Sequence, residues 1–173
     1  MVGAGTDGGF DISRAEELGR RGFALALQLV RNREDAADVV QDALHAAIRK
    51  RHLYDPGRGD QRAWFLKIVR NRCLDLIRKH RRRNEESSEL LDTAASRERN
   101  PGEEAEARDD VRQLKEVLMA MPDEQREVIL LRDYHDLSYA EMATVLGIRA
   151  GTVMSRLHRA RTELRRRVGR TSG

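Results

Sequence analysis

Apolar residues recur three and four positions apart through most of this chain, the spacing of helices that bury one face. Ser13-Arg-Ala-Glu16 reads as a capping box opening a first helix, which carries Leu18, Leu25 and Leu29 and ends near Asn32. Asn32 is placed to cap a second helix running to about His52. On its wheel Ala37, Val40, Leu44, Ala47 and Ile48 gather on one side, and Asp35, Asp38, Gln41, Asp42, His45 and Arg49 on the other. The Pro- and Gly-containing stretch Tyr54 to Asp60 predicts a turn, with Asp60 capping a third helix over about 61–82. Phe65, Ile68, Val69, Cys73, Leu76 and Ile77 form its predicted buried face. Trp64, Lys67, Asn71, Asp75 and Arg78 form a second stripe, so the lone tryptophan falls on the polar side. The helix closes on a basic run, Arg78 to Arg83.

Beyond that run the pattern breaks and then resumes. Leu114, Val117, Leu118 and Met121 are helically spaced, Pro122 resets the chain, and Val128 to Leu131 belong to a further helix. Ser138-Tyr-Ala-Glu141 is a second capping box, with Leu137 and Met142 as its hydrophobic staple, and Gly147 stops that helix. In the last helix Val153, Leu157, Ala160, Leu164 and Val168 make an apolar stripe. Met154, Ser155, His158, Arg159, Thr162, Arg165 and Arg166 lie opposite. A capped helix, a glycine turn and a helix with a basic outer face are the layout of a helix-turn-helix.

Composition agrees and adds a division. Of 173 residues 36% are charged and 4% aromatic, which favours helices packed through Leu, Val, Ile and Ala. The net charge of +4 is unevenly spread: residues 84–110 hold ten acids against three arginines, a net of −7, leaving +11 elsewhere. Only four of 33 basic residues are lysine, and arginine is the residue of bidentate phosphate and guanine recognition. The chain therefore reads as all-α. Two small helical domains, 13–83 and 111–168, are joined by a flexible acidic linker, with a glycine-rich disordered N-terminus (1–12) and a short tail (169–173). Gly3, Gly5 and Gly8 spell Gly-x-Gly-x-x-Gly, but no βα unit surrounds them and a dinucleotide site is excluded.

The last helix carries the strongest candidate chemistry. Arg159 suits bidentate pairing with guanine, while Arg156, Arg161 and Arg165 to Arg167 suit phosphates. Trp64 beside Lys67 and Asn71 suits stacking on unpaired bases. The acidic face of the second helix would repel DNA and is either solvated or bound to protein. A single cysteine, Cys73, excludes an intramolecular disulfide and reads as a buried hydrophobe. The five histidines show no metal-ligand spacing, and no phosphate loop or nucleophile elbow is present. Nothing points to catalysis, a metal, a cofactor or a small-molecule substrate. No bilayer-length apolar run or signal peptide is visible, so a cytoplasmic protein is expected.

Four stretches together resemble the extracytoplasmic-function group of bacterial RNA polymerase sigma factors. They are Asp35-Ala-Ala-Asp-Val-Val-Gln-Asp42, Ala63-Trp-Phe-Leu-Lys-Ile-Val-Arg-Asn71, Met121-Pro-Asp-Glu-Gln-Arg-Glu-Val128, and Leu137 through Arg161. The resemblance implies that Asp35, Asp38, Gln41 and Asp42 meet the clamp helices of core RNA polymerase. Tyr54, Trp64, Lys67, Asn71 and Arg78 would engage and help melt the −10 promoter element. Arg149, Thr152, Met154, Ser155, Arg156, His158 and Arg159 would read the −35 element as duplex DNA. An anti-sigma factor is an implied further partner. Met154 departs from the lysine or arginine common in relatives, Phe65 from an aliphatic residue, and the loop Asp55 to Asp60 is a residue longer than in some of them. The rival reading is a stand-alone helix-turn-helix regulator with a helical sensing domain; a helical adaptor that binds only protein leaves the arginine-rich last helix unexplained.

Overall fold

The computed structural model describes residues 9–87 and 107–171. Their order is α1 (Ala15–Val30), α2 (Arg33–Arg49), α3 (Gln61–Ser87), α4 (Ala107–Ala120), α5 (Asp123–Ile129), α6 (Tyr139–Leu146) and α7 (Ala150–Thr171), with short 3-10 and π turns between some of them. The chain divides into two compact units, Met1–Arg97 and Glu98–Gly173. Most of the linker expected over 84–110 lies outside the described residues. At its edges α3 continues to Ser87 and α4 begins at Ala107. No described helix is long and apolar enough to cross a membrane.

In the first unit α1, α2 and α3 each pack on the other two. Leu18 and Leu25 of α1, Ala43 of α2, and Phe65, Leu66 and Val69 of α3 are fully buried between them. Gly22 is what lets α1 approach α3: a Cβ built on it would stand 2.8 Å from Cε1 of Phe65. Phe65 thus faces the core as its spacing predicts, and Cys73 is likewise buried. The α1–α2 corner is tight. Arg31 takes a left-handed conformation (φ 58°) and donates its N–H to the Leu27 carbonyl. Asn32 then caps α2, its side-chain oxygen accepting from the Asp35 N–H at 3.0 Å.

Three local features depart from the sequence pattern. The first helix does not open on a Ser13 capping box. Asp11 instead accepts from the Ser13 N–H and hydroxyl (2.9 and 2.7 Å), capping a 3-10 turn, and α1 begins at Ala15. These hydrogen bonds hold the Asp11 carboxyl below the usual carboxylate range. The buried stripe of α2 is rotated from its expected centre: Ala36, Val39, Val40, Ala43, Ala46 and Ala47 face inward, and Ala37 is exposed. Alanine contributes so little apolar area that its positions bias the wheel weakly. Finally, of the stretch 1–12 expected to be disordered, residues 1–8 lie outside the described residues, and Phe10 is buried against Tyr54 and Trp64.

In the second unit two arginines close the carboxyl end of α4. Arg126, almost wholly buried, donates to the carbonyls of Met119 and Met121 and to the Asp123 carboxylate at 2.7 Å. Arg167 of α7 donates to the Ala120 carbonyl at 2.9 Å. These bonds serve carbonyls that a helix terminus leaves without intrahelical partners. A π turn, Leu130–Tyr134, links α5 to the helix-turn-helix and contains the fully buried Leu131.

Candidate nucleic-acid and polymerase interfaces

The helix-turn-helix is built as its sequence requires. Ser138 and Glu141 form a complete capping box: the Glu141 N–H donates to the Ser138 hydroxyl (3.2 Å), and the Ser138 N–H to the Glu141 carboxylate (2.7 Å). The staple residues Leu137 and Met142 flanking it are both fully buried. Gly147 ends α6 at φ 68°, a left-handed conformation that glycine adopts without strain. Three residues, 147–149, separate α6 from α7. The Arg149 carbonyl accepts the first bonds of α7, from Thr152 and Val153, so the Arg149 side chain stands at the positive end of that helix.

Along α7 Val153, Leu157 and Ala160 are buried, Leu164 is half-buried, and Val168 is exposed beyond the end of the core. The stripe fixes the rotation of the helix. It turns Met154, Ser155, His158 and Arg159 outward, leaving Thr152 and Arg156 half-buried at the margins.

Ion pairing sorts the arginines of this surface. Arg156 lies 3.3 Å from the Glu124 carboxylate of α5, Arg161 pairs with Asp133, and Glu163 binds both Arg166 and Arg167 at 2.6 Å. The two guanidiniums hold the Glu163 carboxyl down to about 2. Arg149, Arg159 and Arg165 have no carboxylate partner among the described residues. Arg159 donates only to the Ser155 carbonyl at 3.4 Å, and Arg165 to the Thr162 hydroxyl at 3.5 Å. Of the arginines expected to contact phosphate, Arg156, Arg161, Arg166 and Arg167 are therefore already engaged by acids, and Arg165 is open to an anion. Sequence spacing alone cannot show this, because Glu124 and Asp133 reach α7 only through the fold.

On the first unit the outer face of α2 is presented as expected, with Asp38, Gln41 and Asp42 exposed and Asp35 half-buried. Asp42 also lies 3.6 Å from Arg72 of α3, joining this acidic face to the neighbouring helix. On α3 Lys67, Asn71 and Arg78 are exposed, and Arg78 pairs with Asp75 at 3.1 Å.

The two aromatic residues assigned to this region behave differently. Trp64 is half-buried, not outward: its ring centroid lies 5.4 Å from Phe10 and 5.6 Å from Tyr54. Tyr54 is buried, with its hydroxyl donating to the Gly59 carbonyl at 3.1 Å, and burial pushes its phenol pKa up. The segment that brings Phe10 there is clasped by Gln61, which accepts from the Asp11 N–H at 2.9 Å and donates to the Asp11 carbonyl at 2.8 Å. The wheel of α3 placed Trp64 correctly among polar neighbours. It carried no information about a partner in the glycine-rich segment that precedes α1.

Comparison with known proteins matches both units. Residues 15–83 match the model of Sigma-70 region 2, and residues 111–164 that of Sigma-70, region 4. The ECF RNA polymerase sigma factor SigE of Mycolicibacterium smegmatis is 34% identical over 84% of this chain and 56% of its own length, so the chain spans little more than half of that relative. SigL of Mycobacterium tuberculosis, likewise an ECF RNA polymerase sigma factor, is 35% identical over 81% of this chain and 78% of its own. Among solved structures, the sigma factor RpoE of Bartonella quintana in complex with the anti-sigma factor NepR aligns with a TM-score of 0.74 at 27% identity, covering 91% of this chain and 95% of that one. With both units matched in order and at this identity, the chain belongs to the ECF group of RNA polymerase sigma factors, which serve the polymerase in promoter recognition and are not enzymes.

Proposed function

We propose that this chain is a dissociable promoter-specificity subunit whose two units divide the work. The outer face of α2 (Asp35, Asp38, Gln41 and Asp42) docks on the polymerase clamp helices. Lys67, Asn71 and Arg78 of α3 engage the −10 element, where trapping an unpaired base offsets an unstacking cost of a few kcal/mol. The loop beginning at Tyr54 lines that region; Tyr54 and Trp64 brace it through their aromatic packing instead of stacking on bases. Arg149, Ser155, His158 and Arg159 read the −35 duplex, with Thr152 and Arg156 at the edge of the contact. The observation that carries this reading is the sorted face of α7: polar groups turned outward around Arg159, whose guanidinium has no carboxylate partner among the described residues.

The action is cytoplasmic, with core polymerase and promoter DNA as partners and no cofactor. The Bartonella relative is seen with an anti-sigma factor, which supports a partner of the same kind here. A stand-alone regulator with a sensing domain fits less well. Unit 1 is filled where a ligand cavity would be needed: Leu18, Leu25, Phe65 and Val69 are fully buried, and Gly22 has no room for a methyl group.

Footprinting with and without core polymerase tests the division of labour. Purified protein alone gives no sequence-specific footprint, and holoenzyme protects both elements. A tight specific footprint by the free protein would favour the stand-alone regulator.

A further inference from the structure

We propose that Met154 reads the C5-methyl group of a thymine in the upstream promoter duplex, an inference that rests on α7 being the recognition helix. Met154 lies in the second turn of α7, close to the end at which a recognition helix meets base edges. It is 54% exposed, an apolar side chain amid Ser155, His158 and Arg159, which are all exposed and polar. Among groups that base edges present in the major groove, the thymine methyl is the apolar one. A methionine suits it: the side chain is unbranched and polarizable, and adapts to an irregular contact.

The surroundings support a base contact over solvent exposure. Beside Met154 a groove of about 300 Å³ is lined by Tyr139, Leu157, His158, Arg161 and Arg165. Leu157 and Tyr139 give it apolar wall, and Arg165, without a carboxylate partner among the described residues, stands ready for a phosphate. Arg149 and Arg159, similarly without one, supply the same attraction elsewhere on the helix. A polyanion drawn onto this face places its base edges against the thioether. Arg159 then discriminates guanine by hydrogen bonding, and Met154 discriminates a methylated pyrimidine by contact.

The test uses holoenzyme and duplex promoters selected by it, in which each upstream thymine on either strand is replaced singly by deoxyuridine. That change removes one methyl group and leaves every hydrogen bond of the base pair. Wild-type protein loses about 3- to 5-fold in affinity at one position, the value of one buried methyl group. Met154→Ala binds the thymine and deoxyuridine duplexes alike at that position, and Met154→Leu keeps part of the difference. Equal binding of every substituted duplex by wild type overturns the proposal. So does unchanged discrimination in Met154→Ala, or a selected upstream element without A·T pairs. Arg159→Ala tests the underlying reading separately: if it leaves upstream binding and preference intact, α7 is not the recognition helix.

Discussion

Phe10 meets Trp64 edge-on, with ring centroids 5.4 Å apart and planes inclined at 65°, and Tyr54 completes the cluster. Trp64 is the only tryptophan in the chain, so its emission reports on this cluster. Phe10→Ala exposes one face of the indole and leaves a cavity beside Tyr54. The emission maximum moves to the red, and unit 1 loses about 3 kcal/mol, as for a buried phenylalanine truncated to alanine. An unchanged spectrum would mean that the N-terminal segment does not pack in solution.

Gly22→Ala places a methyl group where the ring of Phe65 already stands, 2.8 Å away, with Cγ2 of Val69 at 3.1 Å. Both neighbours are fully buried, so neither moves freely. Overpacking of this kind costs about 1–3 kcal/mol. Denaturant unfolding followed by Trp64 fluorescence shows the loss, and a shortened side chain in Phe65→Leu/Gly22→Ala recovers part of it.

Arg126→Met removes the donor to the Met119 carbonyl of α4 and the Met121 carbonyl just beyond it, and a partner of Asp123. Leaving those carbonyls without it destabilises unit 2 by about 2–4 kcal/mol. Because Trp64 lies in unit 1, the circular dichroism transition of unit 2 falls while the fluorescence transition holds. A matched shift in both signals would show that the units unfold as one.

The Glu163 carboxyl, held at about 2 against an ordinary 4.5 by Arg166 and Arg167, stabilises the folded state when ionised. That contribution is fully present above about pH 4.5 and is lost as pH falls toward 2. Glu163→Gln flattens the pH dependence of stability in this window. At neutral pH it also releases the Arg166 guanidinium for phosphate, while Arg167 keeps its bond to the Ala120 carbonyl, steepening the salt dependence of DNA binding by roughly 1 in log–log slope. An unchanged slope would place Arg166 away from the DNA.

Much of this architecture is legible in local sequence. Ser138 with Glu141, Asn32 and Gly147 each act within four residues of themselves, and the structure places all three as their chemistry requires. The outward face of α7 is equally legible because large apolar residues fix its rotation. Features set by distant partners are not. Phe10 in a glycine-rich segment gives no sign of meeting Trp64, and Arg156 gives none of being engaged by Glu124. The Arg126 cap could have been suspected from an arginine four residues after Pro122, yet its burial depends on the end of α4. Helix wheels assign a side; the fold decides what already occupies it.

Joint action of the two units as promoter readers for a polymerase can be read in the transcripts themselves. With a randomised promoter library and core RNA polymerase, adding this protein yields transcripts that depend on it and share two sequence elements. Asn71→Ala blocks strand opening with upstream binding retained, and Arg159→Ala relaxes upstream preference by about 1–3 kcal/mol at one base pair. A competent core enzyme yielding no protein-dependent transcript would contradict it.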